Sequence, residues 1–195
     1  MRGWLSVRTF IAIELSQETR LALGRLIGEL KPELGRVTWV RPERMHLTLK
    51  FLGEIDEGLV ERIAEKLKRI CGEAQPFAFD VAGMGCFPNP SRPRVVWAGI
   101  VGNTAPASEL QRRIDVELEH LGFEPDARGF SPHVTMGRVK GSINRNALSA
   151  AIESNRERQL GSELIEEIVF MRSKLLPEGP VYTPLARLEL GVRSI

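Results

Sequence analysis

Two short stretches of this chain carry residues able to do proton chemistry. Met45-His46-Leu47-Thr48-Leu49 and Pro132-His133-Val134-Thr135-Met136 repeat one frame, a histidine and a threonine two residues apart. Side chains alternate faces along a β-strand, so each His shares a face with its Thr while the apolar neighbours turn to the other. The chain has 3 histidines, and two of them stand in this frame. An unperturbed imidazole titrates near ~6.5, so close to neutral pH one can be neutral while the other is protonated. Such a pair fits an in-line displacement at phosphorus, where one group takes a proton and the other gives one. The threonine hydroxyls are short, rotatable donors suited to non-bridging phosphate oxygens. Arg138, three residues beyond Thr135, adds a guanidinium that can neutralise phosphoryl charge. Regular alternation would turn Arg138 away from His133, but Gly137 permits a bulge that re-aims it. One such frame alone is an ordinary polar face on a half-buried strand. Two copies in one small chain point to a paired site.

Other chemistries lack their residues. No Asp/Glu cluster accompanies either histidine, so no metal is expected. No glycine motif for nucleotide phosphates or dinucleotides is present, and no cofactor is expected. With 195 residues, 43% of them hydrophobic, the chain suits one compact domain or two small lobes sharing one sheet system. A net charge of +2 permits an anionic ligand without by itself arguing for nucleic acid. Cys71 and Cys86 are too few for a zinc site or a disulfide framework and read as reduced thiols. The first eight residues contain no long apolar segment, and no stretch approaches the ~18 apolar residues of a membrane span. A cytoplasmic protein with no membrane partner is the expectation.

The elements that must position the two frames follow from periodicity. Residues 7–15 form a near-continuous apolar, β-branched run, which predicts a central strand buried on both faces. Ser16 is set as the N-cap of a helix carrying Leu23, Ile27, Leu30 and Leu34, ended by Pro32 and Gly35. A short strand over 36–40 leads through Pro42 into the first His strand, which Gly53 is expected to turn. Asp56 caps a helix with Leu59, Ile63, Leu67 and Ile70 on one face, ended by Gly72. A strand over 77–82, a turn-rich stretch over 83–90 and a buried strand over 95–101 come next. Leu110, Ile114, Leu118 and Leu121 mark another helix, and then the second His strand follows. Ala147, Leu148, Ala151 and Ile152 predict a shorter helix. Residues 163–171 read as one strand, joined to a last strand over 181–190 by a hairpin with a longer-than-minimal loop at Pro177-Glu178-Gly179-Pro180. Strand, helix, strand, helix thus occurs twice, each half holding one His-x-Thr strand.

These segments resemble the two-histidine (2H) phosphoesterase superfamily, and within it the RNA 2′,3′-cyclic phosphodiesterase, or 2′-5′ RNA ligase-like, branch. The resemblance runs over residues 8–13, 39–53, 87–99, 132–138 and 176–182 in family order. It implies a single bilobal α+β domain over 1–195, two pseudo-symmetric antiparallel-sheet lobes with helices outside and a central groove. It further implies metal-free hydrolysis of RNA 2′,3′-cyclic phosphate ends to 2′-phosphomonoesters, with reversible, ATP-independent 2′-5′ joining. A monomer is the expectation. Carried over, His46 is the acid that protonates the leaving 3′ oxygen and His133 the base that activates water. Thr48, Thr135 and Arg138 hold the phosphate.

Phe10 can stack a base or sit in the core, and both readings stay open. His120 closes a helix, where a His commonly meets the terminal carbonyls. Arg94 reads as a solvated cation, Tyr182 as packing, Trp39 and Trp97 as core, and 153–158 as a charged surface. Two rivals remain: a 2H phosphoesterase for small cyclic or 2′-5′-linked nucleotides, and a module that holds RNA ends without turnover.

Overall fold

The computed structural model describes residues 6–126 and 129–191; most of the N-terminal stretch read for an apolar segment, residues 1–5, lies outside them. Strand β1 (Ser6–Glu14) has Phe10 to Ile13 buried on both faces, as its apolar run requires. Ser16 caps α1 (Gln17–Leu34), its hydroxyl accepting from the Thr19 N–H at 3.2 Å. Pro32 stays within the last turn, and Gly35, at φ +88°, ends the helix and opens β2 (Gly35–Trp39).

Strand β3 (His46–Asp56) is longer than its sequence suggests. Gly53 does not turn the chain: at φ +73° it sits in a bulge, and pairing with β1 continues to Asp56. After a 3-10 turn in which Asp56 accepts from the Gly58 N–H at 2.8 Å, α2 (Val60–Glu73) runs through Gly72. Strand β4 (Phe77–Phe87) likewise passes through the stretch read as turns, bulging at Gly83 (φ +68°). In both places a glycine that looks like punctuation is the residue that lets a long strand kink without stopping. Then come β5 (Val95–Val101), α3 (Ala105–Glu119), β6 (His133–Ile143) and α4 (Arg145–Ser154).

The span read as one strand over 163–171 is two, β7 (Gln159–Ile165) and β8 (Glu167–Leu176), parted at Glu166. They lie on opposite sides of the molecule, β7 on β4 and β8 on β1. Alternation carries no sign of that break because both strands are half-buried with the same period. Strand β9 (Gly179–Glu189) pairs back from Leu176–Gly179, so the hairpin loop is only Pro177-Glu178, shorter than expected.

The strands form one antiparallel sheet in the order β7-β4-β5-β6-β3-β1-β8-β9, with β2 also on β6. Its centre is a seam: β3 and β6 are joined only by the pair Leu47–Val134. One lobe is β7-β4-β5-β6 with β2, covered by α1 and α4; the other is β3-β1-β8-β9, covered by α2 and α3. The lobes are not halves of the sequence. The helix after β1 covers the opposite lobe, and so does the helix after β5. Both His strands therefore meet at the seam, each with its apolar face in one core that the two lobes share.

Candidate active site

Leu47 and Val134 are buried against the helices, so the residues on either side of them face the groove. Counting outward from their pairing, His46 comes opposite Thr135 and Thr48 opposite His133. Each histidine is held by the same local device. The Nδ1–H of His46 donates to the Arg44 carbonyl at 2.8 Å, and that of His133 to the Ser131 carbonyl at 2.8 Å. A carbonyl can only accept, so each bond selects the tautomer with Nδ1 protonated. Nε2 is the ring nitrogen that this bond leaves unused in each histidine. Thr48 and Thr135 are half-buried, and neither hydroxyl is engaged by another side chain among the described residues.

The two rings have different walls. His46 stacks on Phe10, ring centroids 4.8 Å apart and 26° between planes, and meets the edge of Tyr182 at 5.4 Å. Burial pulls its pKa below the ordinary histidine value, and Arg20 adds to this; the bond to the Arg44 carbonyl and the Glu14 carboxylate, opposite it on β1, work the other way. Glu14 is itself bridged by Arg187 at 2.8 Å and Arg20 at 3.4 Å. These groups line a cavity of about 360 Å³ beside His46. His133 lies edge-on to Phe87 at 5.0 Å and near Trp97 at 6.5 Å.

Arg138 reaches the groove by a bulge. Trp97 pairs with Thr135 and Val96 with Gly137, which leaves Met136 as the extra residue. Val95, on the same face as Trp97, then pairs with Arg138. Opposed residues in a ladder share a face, so Arg138 joins His133 and Thr135. Its charge is felt at Tyr182, whose hydroxyl burial pushes up while Arg44, Arg138 and Arg8 pull it down.

Several expectations change. Phe10 is only 3% exposed, packed with Ala12, Val169, Met171 and Tyr182 beneath His46, so its faces are not open to a base. Phe51, paired with Phe10 and 66% exposed, is the aromatic that faces out, and sequence reasoning missed it. Trp97 is not core but groove wall, lying flat over Gly85. Trp39 packs on the core over Gly137. Tyr182 does pack, but against the ring of His46. Arg94 lies at the far end of β5, beside a second cavity. His120 caps α3 and is exposed on the helical side. Arg158 of the charged run binds Glu29, at 2.5 and 2.8 Å. Among the described residues no three His, Cys, Asp or Glu side chains gather as a metal-ligand group, and no helix is long and apolar enough to cross a membrane.

A bilobal antiparallel sheet with a His-x-Thr strand from each lobe at one seam defines the class, a two-histidine phosphoesterase. The model of the LigT like Phosphoesterase family matches residues 13–97 and 101–182, and the chain belongs to that family. It is 39% identical over 181 residues to a protein named RNA 2′,3′-cyclic phosphodiesterase from Methanothermobacter thermautotrophicus, covering 93% of this chain and 97% of that one. A Thermotoga maritima protein of the same name is 36% identical over 191 residues, 92% and 93% of the two chains. Among solved structures, TT0787 of Thermus thermophilus superposes with a TM-score of 0.80 at 29% identity, covering 94% and 98%. Escherichia coli LigT complexed with 3′-AMP gives 0.76 at 25% identity, covering 95% and 99%.

Proposed function

We propose that this chain hydrolyses RNA 2′,3′-cyclic phosphate ends to 2′-phosphomonoesters. The observation that carries this reading is the pair of imidazoles with Nδ1 tied back to a carbonyl, each opposite the other's threonine across the seam. Two relatives that match nearly end to end bear the name of that activity.

In this reading Nε2 of His133 takes a proton from water as the oxygen attacks phosphorus. The P–O3′ bond breaks, and Nε2–H of His46 gives its proton to the departing 3′ oxygen. Thr48, Thr135 and Arg138 hold the non-bridging oxygens, the guanidinium matching two of them at once. Burial lowers the pKa of free His46. An anionic phosphodiester beside it works the other way and favours the imidazolium that an acid requires. A 5′-hydroxyl in place of water gives a 2′-5′ phosphodiester by the same steps, without ATP; the return reaction swaps the two roles. Phe51 takes the base-stacking role first considered for Phe10, while Phe10 supports the His46 ring.

The chain works as one bilobal domain, because it crosses between the lobes repeatedly and no cut separates them. A monomer acting in the cytoplasm accords with one chain supplying both histidines and with two buried free thiols. The test is an RNA ending in a 2′,3′-cyclic phosphate, incubated in EDTA, with the product isomer identified. A 2′-phosphate is expected. A 3′-phosphate, or turnover that requires an added divalent ion, would overturn the mechanism; turnover of small cyclic nucleotides alone would leave the smaller-substrate rival.

A further inference from the structure

The cations of this chain fall into two sets. Many are paired: Arg158 with Glu29, Lys66 and Arg69 with Glu117, Arg113 with Glu73, Lys50 with Asp115. At the outer ends of β2, β5 and β6 the pattern changes. There Arg36, Arg92, Arg94, Lys140 and Arg145 have no acidic partner among the described residues. These five cations thus gather at one end of a molecule whose net charge is only +2. Like charges gathered without partners repel, and a polyanion relieves the repulsion.

Three of these arginines line a cavity of about 390 Å³. Arg92 and Arg94 come from the β4–β5 loop, Arg145 from the start of α4, and Gly141 and Ser142 of β6 form the wall between them. No carboxylate and no aromatic ring lines it. The loop is fixed in place: Asn89 Oδ1 accepts from the Ser91 and Arg92 N–H groups, both at 3.1 Å, and the Arg94 N–H donates to the Phe87 carbonyl at 2.7 Å. One strand, β6, links the cavity to the histidine site: Val139, next to groove-facing Arg138 and paired with core-packed Val37, turns to the helix side, so the cavity lies round the end of the sheet from the groove. At ~3.3 Å per residue, Gly141 lies about 10 Å beyond Arg138 along β6, and about 26 Å from His133.

We propose that Arg92, Arg94 and Arg145 form a second site that binds the backbone phosphates of single-stranded RNA, upstream of the terminal nucleotide held at the histidines. The proposal rests on the phosphodiesterase reading and extends it: the enzyme recognises a chain rather than a mononucleotide. Guanidinium forks suit phosphate oxygens, and phosphate contacts carry no sequence information. With no aromatic platform in the cavity, this site holds backbone and leaves the bases unread.

The experiment compares the full wild-type chain with R92A/R94A/R145A. One probe is a fluorescein-labelled RNA of about ten nucleotides ending in a 2′-phosphate, read by anisotropy. The other is turnover of adenosine 2′,3′-cyclic phosphate beside an RNA with a cyclic end. The alanine variant is expected to bind the RNA about 10-fold more weakly or worse. Its slope of log affinity against log salt should flatten by about 2, from ~0.7 for each lost phosphate contact. KM for the cyclic RNA should rise, while kcat and KM for the cyclic mononucleotide stay as in wild type. R92K/R94K/R145K should keep most of the affinity, since it keeps the charge. Equal RNA affinity and equal salt slope in wild type and alanine variant would overturn the proposal, as would a parallel loss of mononucleotide turnover. If wild type turns over neither cyclic substrate, the phosphodiesterase reading fails, and the anisotropy comparison still decides this site in either direction.

Discussion

On β3, His46 is followed by Thr48, an extra residue at Leu49, and Phe51 on the groove face. On β6, His133 is followed by Thr135, an extra residue at Met136, and Arg138 on the groove face. The two strands share a plan: histidine tied by Nδ1 to the carbonyl two residues back, threonine next on the same face, then a bulge that reverses the alternation. The bulge delivers the fifth residue after each histidine to the groove. In one lobe that residue is an aromatic ring, in the other a guanidinium. The walls differ in the same sense. His46 is enclosed by Phe10 and Tyr182, and burial lowers its pKa, while Arg138 stands on the strand of His133, beyond Thr135. One plan used twice thus makes an asymmetric site, a guanidinium on β6 and an aromatic ring on β3; in the proposed reading the phosphoryl oxygens lie towards β6 and the base towards β3.

The largest expected effect breaks the pairing itself. His46→Ala and His133→Ala should each lower kcat by ~10²–10⁴-fold on a cyclic-phosphate RNA end, with the melting temperature little changed. Near-wild-type turnover in either one would mean that the two strands do not form one site. Next come the two residues that the bulges deliver. Arg138→Ala should cost about 10²-fold, mainly in kcat, as expected for a donor to developing charge; Arg138→Lys should fall between, since an ammonium cannot form the bidentate contact. Phe51→Ala should instead raise KM, by ~1–3 kcal/mol or roughly 5- to 150-fold, and leave kcat near wild type. If both substitutions shift the same parameter, the division into phosphate side and base side is wrong.

Gly85→Ala sharpens the comparison at the wall of His133. A Cβ there would lie 2.3 Å from Trp97 Cζ2, so the indole must move. Overpacking of this kind costs ~1–3 kcal/mol, and at this chain length each of those lowers Tm by about 2–4 °C. Thermal melts together with kcat will show whether the wall matters to His133 or only to stability.

The smallest effect is a pH shift. Burial holds His46 below the ordinary value, and the Glu14 carboxylate partly offsets it by favouring the imidazolium. Glu14→Gln removes that support, so the His46 pKa falls further. If His46 is the acid, the limb of kcat/KM that declines as pH rises moves to lower pH. Movement of the other limb would make His46 the base and exchange the two roles. The limbs belong to the coupled pair, so the comparison is between variants and not between assigned residues.

How much of this was legible in the chain follows from which interactions are local. The His-x-Thr frames need only the two-residue period of a strand, and the helices with Leu23, Ile63 and Ile114 on their buried faces need only the 3.6-residue period. Ser16 and Asp56 cap their turns through bonds to residues two or three positions away. All of these are contained in short windows of sequence, and so is the possibility of a bulge at Gly137. Whether a bulge forms is decided by the partner strand, because the register of Trp97 and Val96 on β5 leaves Met136 unmatched. The same holds at Leu49, where nothing in Leu-Lys-Phe says that Lys50 turns inward to Asp115 and Phe51 outward. Gly53 and Gly83 read as turns because a glycine permits a bend whether the strand ends or only kinks. The split of 163–171 at Glu166, and the crossing that sends β7 and β8 to opposite lobes, depend on edges that only the assembled sheet offers. Sequence alone determined which residues are able to do chemistry here, since residue type and spacing set that. Tertiary structure decided which of them meet, because side-chain direction beyond a bulge is a property of two paired strands and not of one.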